Sequence, residues 1–145
     1  MDSMNRSIIG HLLRDGRATF QQIGQQVGLS APAVKRRVDQ MLARKEIAGF
    51  TAVIDPASLG WDTEAYVEIS YKGNVSTTRL QRDLEAIPEI VGVWTVSGDA
   101  DALVHVMASN MAEIERTVER MRMFPNVDRT RSVIVMSRIF ERSRS

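Results

Sequence analysis

The stretch that most constrains this chain is Thr19–Lys45, TFQQIGQQVGLSAPAVKRRVDQMLARK, in which the signals that start and stop helices fall close together. Thr19 suits the N-cap of a helix from Phe20 to Val27, and Gln22 three residues later completes a capping box. Phe20, Ile23 and Val27 recur at i, i+3 and i+7, the spacing of one helical face. Gly28 is the natural left-handed residue after that helix. Ser30 then caps another helix, and Pro32 is tolerated because it lies in the first turn. Two short helices joined through Val27-Gly28-Leu29-Ser30 make a helix-turn-helix, a pattern whose second helix enters the DNA major groove.

On that second helix Val34, Val38, Met41 and Leu42 form an apolar stripe. At 100° per residue the opposite side carries Pro32, Ala33, Arg36, Asp39, Gln40 and Ala43. Lys35, Arg37 and Arg44 flank it, where long stems reach a phosphate. The spacing alone also fits a three-helix bundle with a solvated basic face; the cap–Gly–cap punctuation favours DNA. Upstream, Met4, Ile8 and Leu12 with Ile9 and Leu13 predict a covering helix over 4–14, capped by Ser3 and stopped at Asp15-Gly16. Charge agrees with a polyanion-binding head: residues 1–50 hold eight Lys or Arg against four acids, the remainder eleven against fourteen.

Past this head, Ile47–Ile54 (IAGFTAVI) reads as a wing or linking strand ended by Asp55-Pro56. Residues 55–63 are turn-rich and mark a boundary. Ala65, Val67, Ile69 and Tyr71 alternate with Glu64, Tyr66, Glu68 and Ser70 as in a strand. Ser76 caps a helix carrying Leu80, Leu84 and Ile87, which Pro88 ends. Strands follow over Ile90–Ser97 and Ala102–Ala108, separated by Gly98-Asp99-Ala100-Asp101. A helix from Met111 to Met123 presents Met111, Ile114, Val118 and Met121, and a last strand lies within Val127–Phe140. This β-α-β-β-α-β order is ferredoxin-like, with both helices on one sheet face. Tyr66, Trp94, Val96, Val104 and Val106 fall on both faces, so the uncovered face calls for a partner, and dimerisation is expected.

Other chemistry is scarce. No run of about 18 apolar residues exists to span a membrane, and the N-terminus lacks a signal-peptide pattern. There is no cysteine, which removes disulfides and thiolate metal sites. A cytoplasmic protein is the default. No phosphate loop, nucleophile elbow or HExxH helix occurs. His11 and His105 stand apart from any ligand set, so neither a metal nor a cofactor is expected. Asp99 and Asp101 admit three readings: a structural turn, an acid–base pair, or a receptor for the ammonium of a small ligand. The basic tail through Arg138, Arg142 and Arg144 reads as a solvated terminus or a supplementary phosphate contact.

Together these segments resemble the Lrp/AsnC, or feast/famine, family of transcription regulators. The carriers are LLRDGR (12–17), IGQQVGLS (23–30), VKRRVDQM (34–41), IAGFTAVIDP (47–56), VSGDAD (96–101) and PNVDRTRSVIVM (125–136). The resemblance implies an α+β protein: a winged-helix-like helix-turn-helix domain (1–46), a linking strand and hinge (47–63), and a ferredoxin-like effector-binding and oligomerisation domain (64–145). It implies a regulator rather than an enzyme, with no catalytic residues, working on double-stranded DNA as a homodimer that assembles into tetramers or octamers. Arg17, Ser30, Pro32, Ala33, Lys35, Arg36, Arg37 and Gln40 are the expected DNA contacts, Arg36 and Gln40 on bases. Ser97, Gly98, Asp99, Ala100, Asp101 and Thr130 are the expected effector contacts, for an amino acid held between subunits. Asn5 stands where the family usually has Asp, which bears on local capping. Ala100 stands where an aromatic is common, which enlarges or opens the pocket.

Overall fold

The computed structural model describes residues 1–140; Arg142 and Arg144 of the basic tail lie outside the described residues. Three helices open the chain: α1 (Ser3–Arg14), α2 (Phe20–Val27) and α3 (Ala31–Ala43). The Thr19 hydroxyl accepts from Gln22 N–H while the Gln22 side-chain Oε1 accepts from Thr19 N–H, so the capping box is closed. Gly28 adopts φ +74°, and the Ser30 hydroxyl accepts from Ala33 N–H at 3.4 Å. The first helix is capped by Asp2 rather than Ser3, because the Asp2 carboxylate reaches Asn5 N–H at 2.7 Å. Ile8, Ile23, Val34, Val38 and Met41 form the core of this unit, with Leu42 packed at its margin.

The chain divides between Val53 and Ile54 into two compact units. The expected strand over 47–54 is not formed. Ile47 packs at the margin of the helical core, but the rest of the run stays open, Phe50 being 54% and Val53 82% exposed. A strand exists only through backbone bonds to a neighbour, and the sheet here contains only the four strands that follow. High β-propensity alone is therefore insufficient.

In the second unit a 3-10 turn (Pro56–Leu59) leads into β1 (Thr63–Tyr71), α4 (Thr77–Glu85), β2 (Ile90–Thr95), β3 (Ala102–Ala108), α5 (Met111–Arg122) and β4 (Val127–Ile134). The sheet is antiparallel, in the order β2-β3-β1-β4, the ferredoxin-like arrangement expected. Ala65, Val67 and Ile69 of β1 and Val104 and Val106 of β3 meet Leu84, Ile114, Val118 and Met121 in one core beneath the helices. Val104 and Val106 thus belong to the helix side, whereas Tyr66 and Trp94 lie with Leu103 and His105 on the open face. Three expectations are corrected, the first being that β2 ends at Thr95 rather than Ser97. Ile87 is buried but sits beyond α4, and Met111 opens α5 yet is 51% exposed, since the helical period runs on after the packing stops.

Candidate functional site

The two units each present a surface with uncommitted polar groups. In the first it is the outer side of α3. Pro32, Lys35, Arg36 and Gln40 are exposed, opposite the buried Val34, Val38 and Met41. The Arg36 guanidinium and Gln40 amide take no hydrogen bond or ion pair among the described residues, and neither does the Arg17 guanidinium. Lys35 is paired with Asp39 one turn on, both well exposed; such a pair contributes little. The angle between α2 and α3 is fixed by Gly24, where a Cβ would stand 2.4 Å from the Leu29 carbonyl oxygen. Only a residue without a side chain lets the turn fold so close to α2.

Arg37 has a different occupation. Its Nη1 donates to Asp2 Oδ2 at 2.7 Å and to Asn5 Oδ1 at 2.9 Å, tying α3 to the start of α1. The bond from Asn5 N–H, then the Arg37 bond, hold the Asp2 carboxyl below the usual carboxylate range. The Asn5 departure therefore bears on Arg37 as much as on capping. Sequence periodicity placed Arg37 on a flank and gave no sign of these partners, which lie more than thirty positions away.

The second surface is a cavity of about 570 Å³ at the turn end of the open sheet face. Ser97, Asp99, Ala100 and Thr130 line it, as do Glu68, Ser70, Val96, Leu103, Arg129 and Arg131. The latter group was missed by the motif reading. Its signal was alternation: Glu68 and Ser70 share one side of β1, and the β1–β4 register sets Glu68 opposite Arg131 and Ser70 opposite Arg129. The cavity thus has charges of both signs beside an apolar wall from Val96, Ala100 and Leu103.

Gly98 and Asp101 do not line this cavity; they shape it. Gly98 turns the chain at φ +123°. The Asp101 carboxylate accepts from Tyr71 N–H at 2.7 Å, and Asp101 N–H donates to the Ile69 carbonyl at 2.9 Å. Ser70 donates its hydroxyl to the Asp99 carbonyl at 3.2 Å. The turn is consequently pinned to the end of β1, with the Asp101 carboxylate committed and the Asp99 carboxylate without a hydrogen bond or ion pair among the described residues. That separates the pair: the Asp101 carboxylate holds the turn, and Asp99 lines the cavity with its carboxylate uncommitted among the described residues. The Thr130 hydroxyl accepts from Arg122 Nε of α5 at 2.8 Å, and Thr130 pairs with the helix-side Ile69, so its hydroxyl is committed on the helix side of the sheet.

Comparison with known proteins covers both surfaces. Residues 1–42 match the AsnC-type helix-turn-helix domain and residues 64–145 the Lrp/AsnC ligand binding domain. The chain is 44% identical over 142 residues to the HTH-type transcriptional regulator Rv2324 of Mycobacterium tuberculosis, covering 98% of this chain and 96% of that protein. It is 27% identical to the leucine-responsive regulatory protein of Rhizobium meliloti, over 96% of this chain and 91% of the relative. Among solved structures, a feast or famine regulatory protein from M. tuberculosis complexed with L-methionine superposes with a TM-score of 0.90 at 29% identity. That alignment covers 99% of this chain and 97% of the other.

Proposed function

Because the chain belongs to the Lrp/AsnC family of helix-turn-helix transcriptional regulators, we propose that it reads DNA through the outer side of α3 and is tuned by an amino acid bound beside the Gly98–Asp101 turn. The observation that carries the reading is the uncommitted Arg36–Gln40 face, set on a helix whose capped N-terminus and small residues Pro32 and Ala33 permit close approach. Arg36 takes a guanine edge, a bidentate contact worth roughly 1–3 kcal/mol of discrimination, and Gln40 takes a neighbouring base. The N-terminal amides of α3, with Ser30, hold a phosphate oxygen. Lys35 and Arg17 set register on phosphates. Arg37 supports the head from within through Asp2 and Asn5.

Residues 1–46 serve as the reading head, 47–63 as the connection, and 64–145 as the effector and assembly domain. Two copies meet through the open sheet face, whose Trp94 and Val133 are exposed, and such dimers build tetramers or octamers. A symmetric pair places two α3 N-termini about one helical turn, ~34 Å, apart on a pseudo-palindrome. Its work on chromosomal DNA is cytoplasmic. No helix among the described residues is long and apolar enough to cross a membrane.

At the cavity, Asp99 receives the ligand ammonium, Ser97 and the wall at Thr130 flank it, and Ala100 leaves room for the side chain. A ligand acts only by favouring one assembly or geometry over another. The test is titration of duplex DNA by the full chain at several salt concentrations, with and without L-methionine or L-leucine. Wild type should lose affinity steeply with salt and respond to one of the amino acids in affinity or size. Asp99→Ala should keep DNA binding and lose the response; an unchanged response in that variant refutes the site.

A further inference from the structure

The open sheet face carries one cluster that neither DNA reading nor the ligand cavity uses. His105 of β3 stacks on Tyr66 of β1, ring centroids 4.6 Å apart and planes within 8°. Trp94 of β2 lies on its other side at 6.5 Å and 28°. Gly92, opposite His105 in the β2–β3 register, makes room for that indole: a Cβ there would stand 2.4 Å from Trp94 Cη2. The His105 Nε2 is 2.6 Å from Glu64 Oε1, and Arg138 Nη2 donates to Glu64 Oε2 at 2.8 Å.

Burial pushes the Glu64 carboxyl up, but the bonds from Arg138 and His105 outweigh it and hold it below its ordinary range, so Glu64 is an anion with two partners. The side chains of His105 and Glu64 are only 18% and 14% exposed, whereas Trp94 and Val133 beside them are 48% and 52% exposed. The titratable ring therefore sits just beneath an apolar rim that a second copy would cover.

We propose that His105 makes the face-to-face pairing of two copies pH-sensitive, with the dimer favoured by neutral imidazole and weakened by its protonation. The inference rests on the reading that this face is the dimer surface. The described charges facing the ring are Glu64 and Glu68 from β1, Arg131 from β4 and Arg138 beyond it; β2 contributes none. Glu64 pairs with Arg138, and Glu68 lies 3.8 Å from Arg131, so these charges balance and imidazolium adds one positive charge in excess. Attraction to Glu64 is present in the lone chain and strengthens as water is excluded, but Glu64 already shares its charge with Arg138, so it offsets only part of the cost. What pairing changes is solvent: it strips water from the added charge and brings the same charge from the other copy across the two-fold axis.

The sign follows from linkage. A histidine pKa lowered on pairing makes pairing strongest above the histidine range, and that advantage is lost as pH falls through it. A depression of one unit weakens association about tenfold per histidine, or about a hundredfold for the two in a dimer.

The experiment is sedimentation equilibrium of the full chain at pH 8 and pH 5.5, with native circular dichroism checked at both. Wild type should dimerise at pH 8, with its dimer Kd rising ten- to hundredfold at pH 5.5. His11→Gln, at the other of the chain's two histidines, should behave as wild type. His105→Gln should dimerise with little pH dependence; if it lacks a native spectrum, His105→Phe, which keeps the stack on Tyr66, replaces it. A wild-type Kd that is constant or smaller at pH 5.5, or a rise that survives in the His105 variant, overturns the inference. A chain monomeric at pH 8 at every concentration refutes pairing through this face itself.

Discussion

Gly24 offers a quantitative test of how the reading head is built. A methyl group added there meets the Leu29 carbonyl oxygen at 2.4 Å and its carbonyl carbon at 3.4 Å. Ordinary carbon–oxygen contact begins near 3.2–3.4 Å, so the turn must retreat by most of an ångström. The same carbonyl segment follows the Leu29 N–H bond to the Gly24 carbonyl, 2.9 Å long, so retreat also strains that link. Overpacking against a fixed backbone costs typically about 1–3 kcal/mol, which outweighs the roughly 0.5–1 kcal/mol that Gly→Ala contributes inside a helix. Gly10 is the matched control: it is helical, in α1, and nothing stands within 4 Å of an added Cβ. Gly24→Ala should lower the melting temperature of the N-terminal unit by about 4–8 °C per kcal/mol lost and weaken DNA binding, because α3 is set at a new angle. Gly10→Ala should raise the melting temperature and leave affinity unchanged. Differential scanning calorimetry with duplex titration decides it. Equal stability of the two variants would refute the close packing of the turn on α2.

Three further outcomes follow from individual contacts. Arg37→Ala removes the bonds to Asp2 and Asn5; it should destabilise the head and weaken specific and random duplexes in equal proportion, as measured by denaturation and anisotropy, whereas base-specific loss would assign Arg37 to the DNA. Asp101→Ala leaves the Tyr71 N–H without its acceptor, at a cost of about 1–3 kcal/mol for a partly buried donor, so thermal unfolding of the C-terminal unit should shift downward even with no ligand present. Acid acts on Asp2: its folded pKa is depressed, so the stability it lends is present above the ordinary carboxylate value and lost as pH falls through the depressed one. The protection of Asn5 N–H, the slowing of its exchange relative to an unfolded amide at the same pH, should fall over that acidic range in wild type, and Asp2→Ala should show low protection already at neutral pH.

The parts of this protein legible in sequence are those whose chemistry is local. The Thr19–Gln22 box, Gly28 and Ser30 set the bounds of α2 and α3 because each cap bonds within four residues of itself. Alternation along β1 sorted Ala65, Val67 and Ile69 from the open-face side for the same reason. Where partners lie far off in the chain, sequence reading lost resolution. Asp2 took the cap expected of Ser3 and also met Arg37, a contact with no local sign. Asp99 and Asp101 look alike in sequence; only the end of β1 distinguishes the committed carboxylate from the open one. Glu68, Arg129 and Arg131 join the cavity through strand register, which motif spacing does not encode. The apolar run at 47–54 shows the limit most plainly, since a strand needs a neighbour that this chain alone does not provide.

The central claim, that α3 reads base pairs through Arg36, is tested most directly by selecting bound sequences from a random duplex library with the full chain and with Arg36→Ala. The account predicts that wild type enriches a pseudo-palindrome with half-sites about one helical turn apart, and that Arg36→Ala loses preference for a guanine at one position of each half-site while retaining general affinity. Selection of the same motif with undiminished preference by Arg36→Ala, or no enriched motif from wild type, would contradict it.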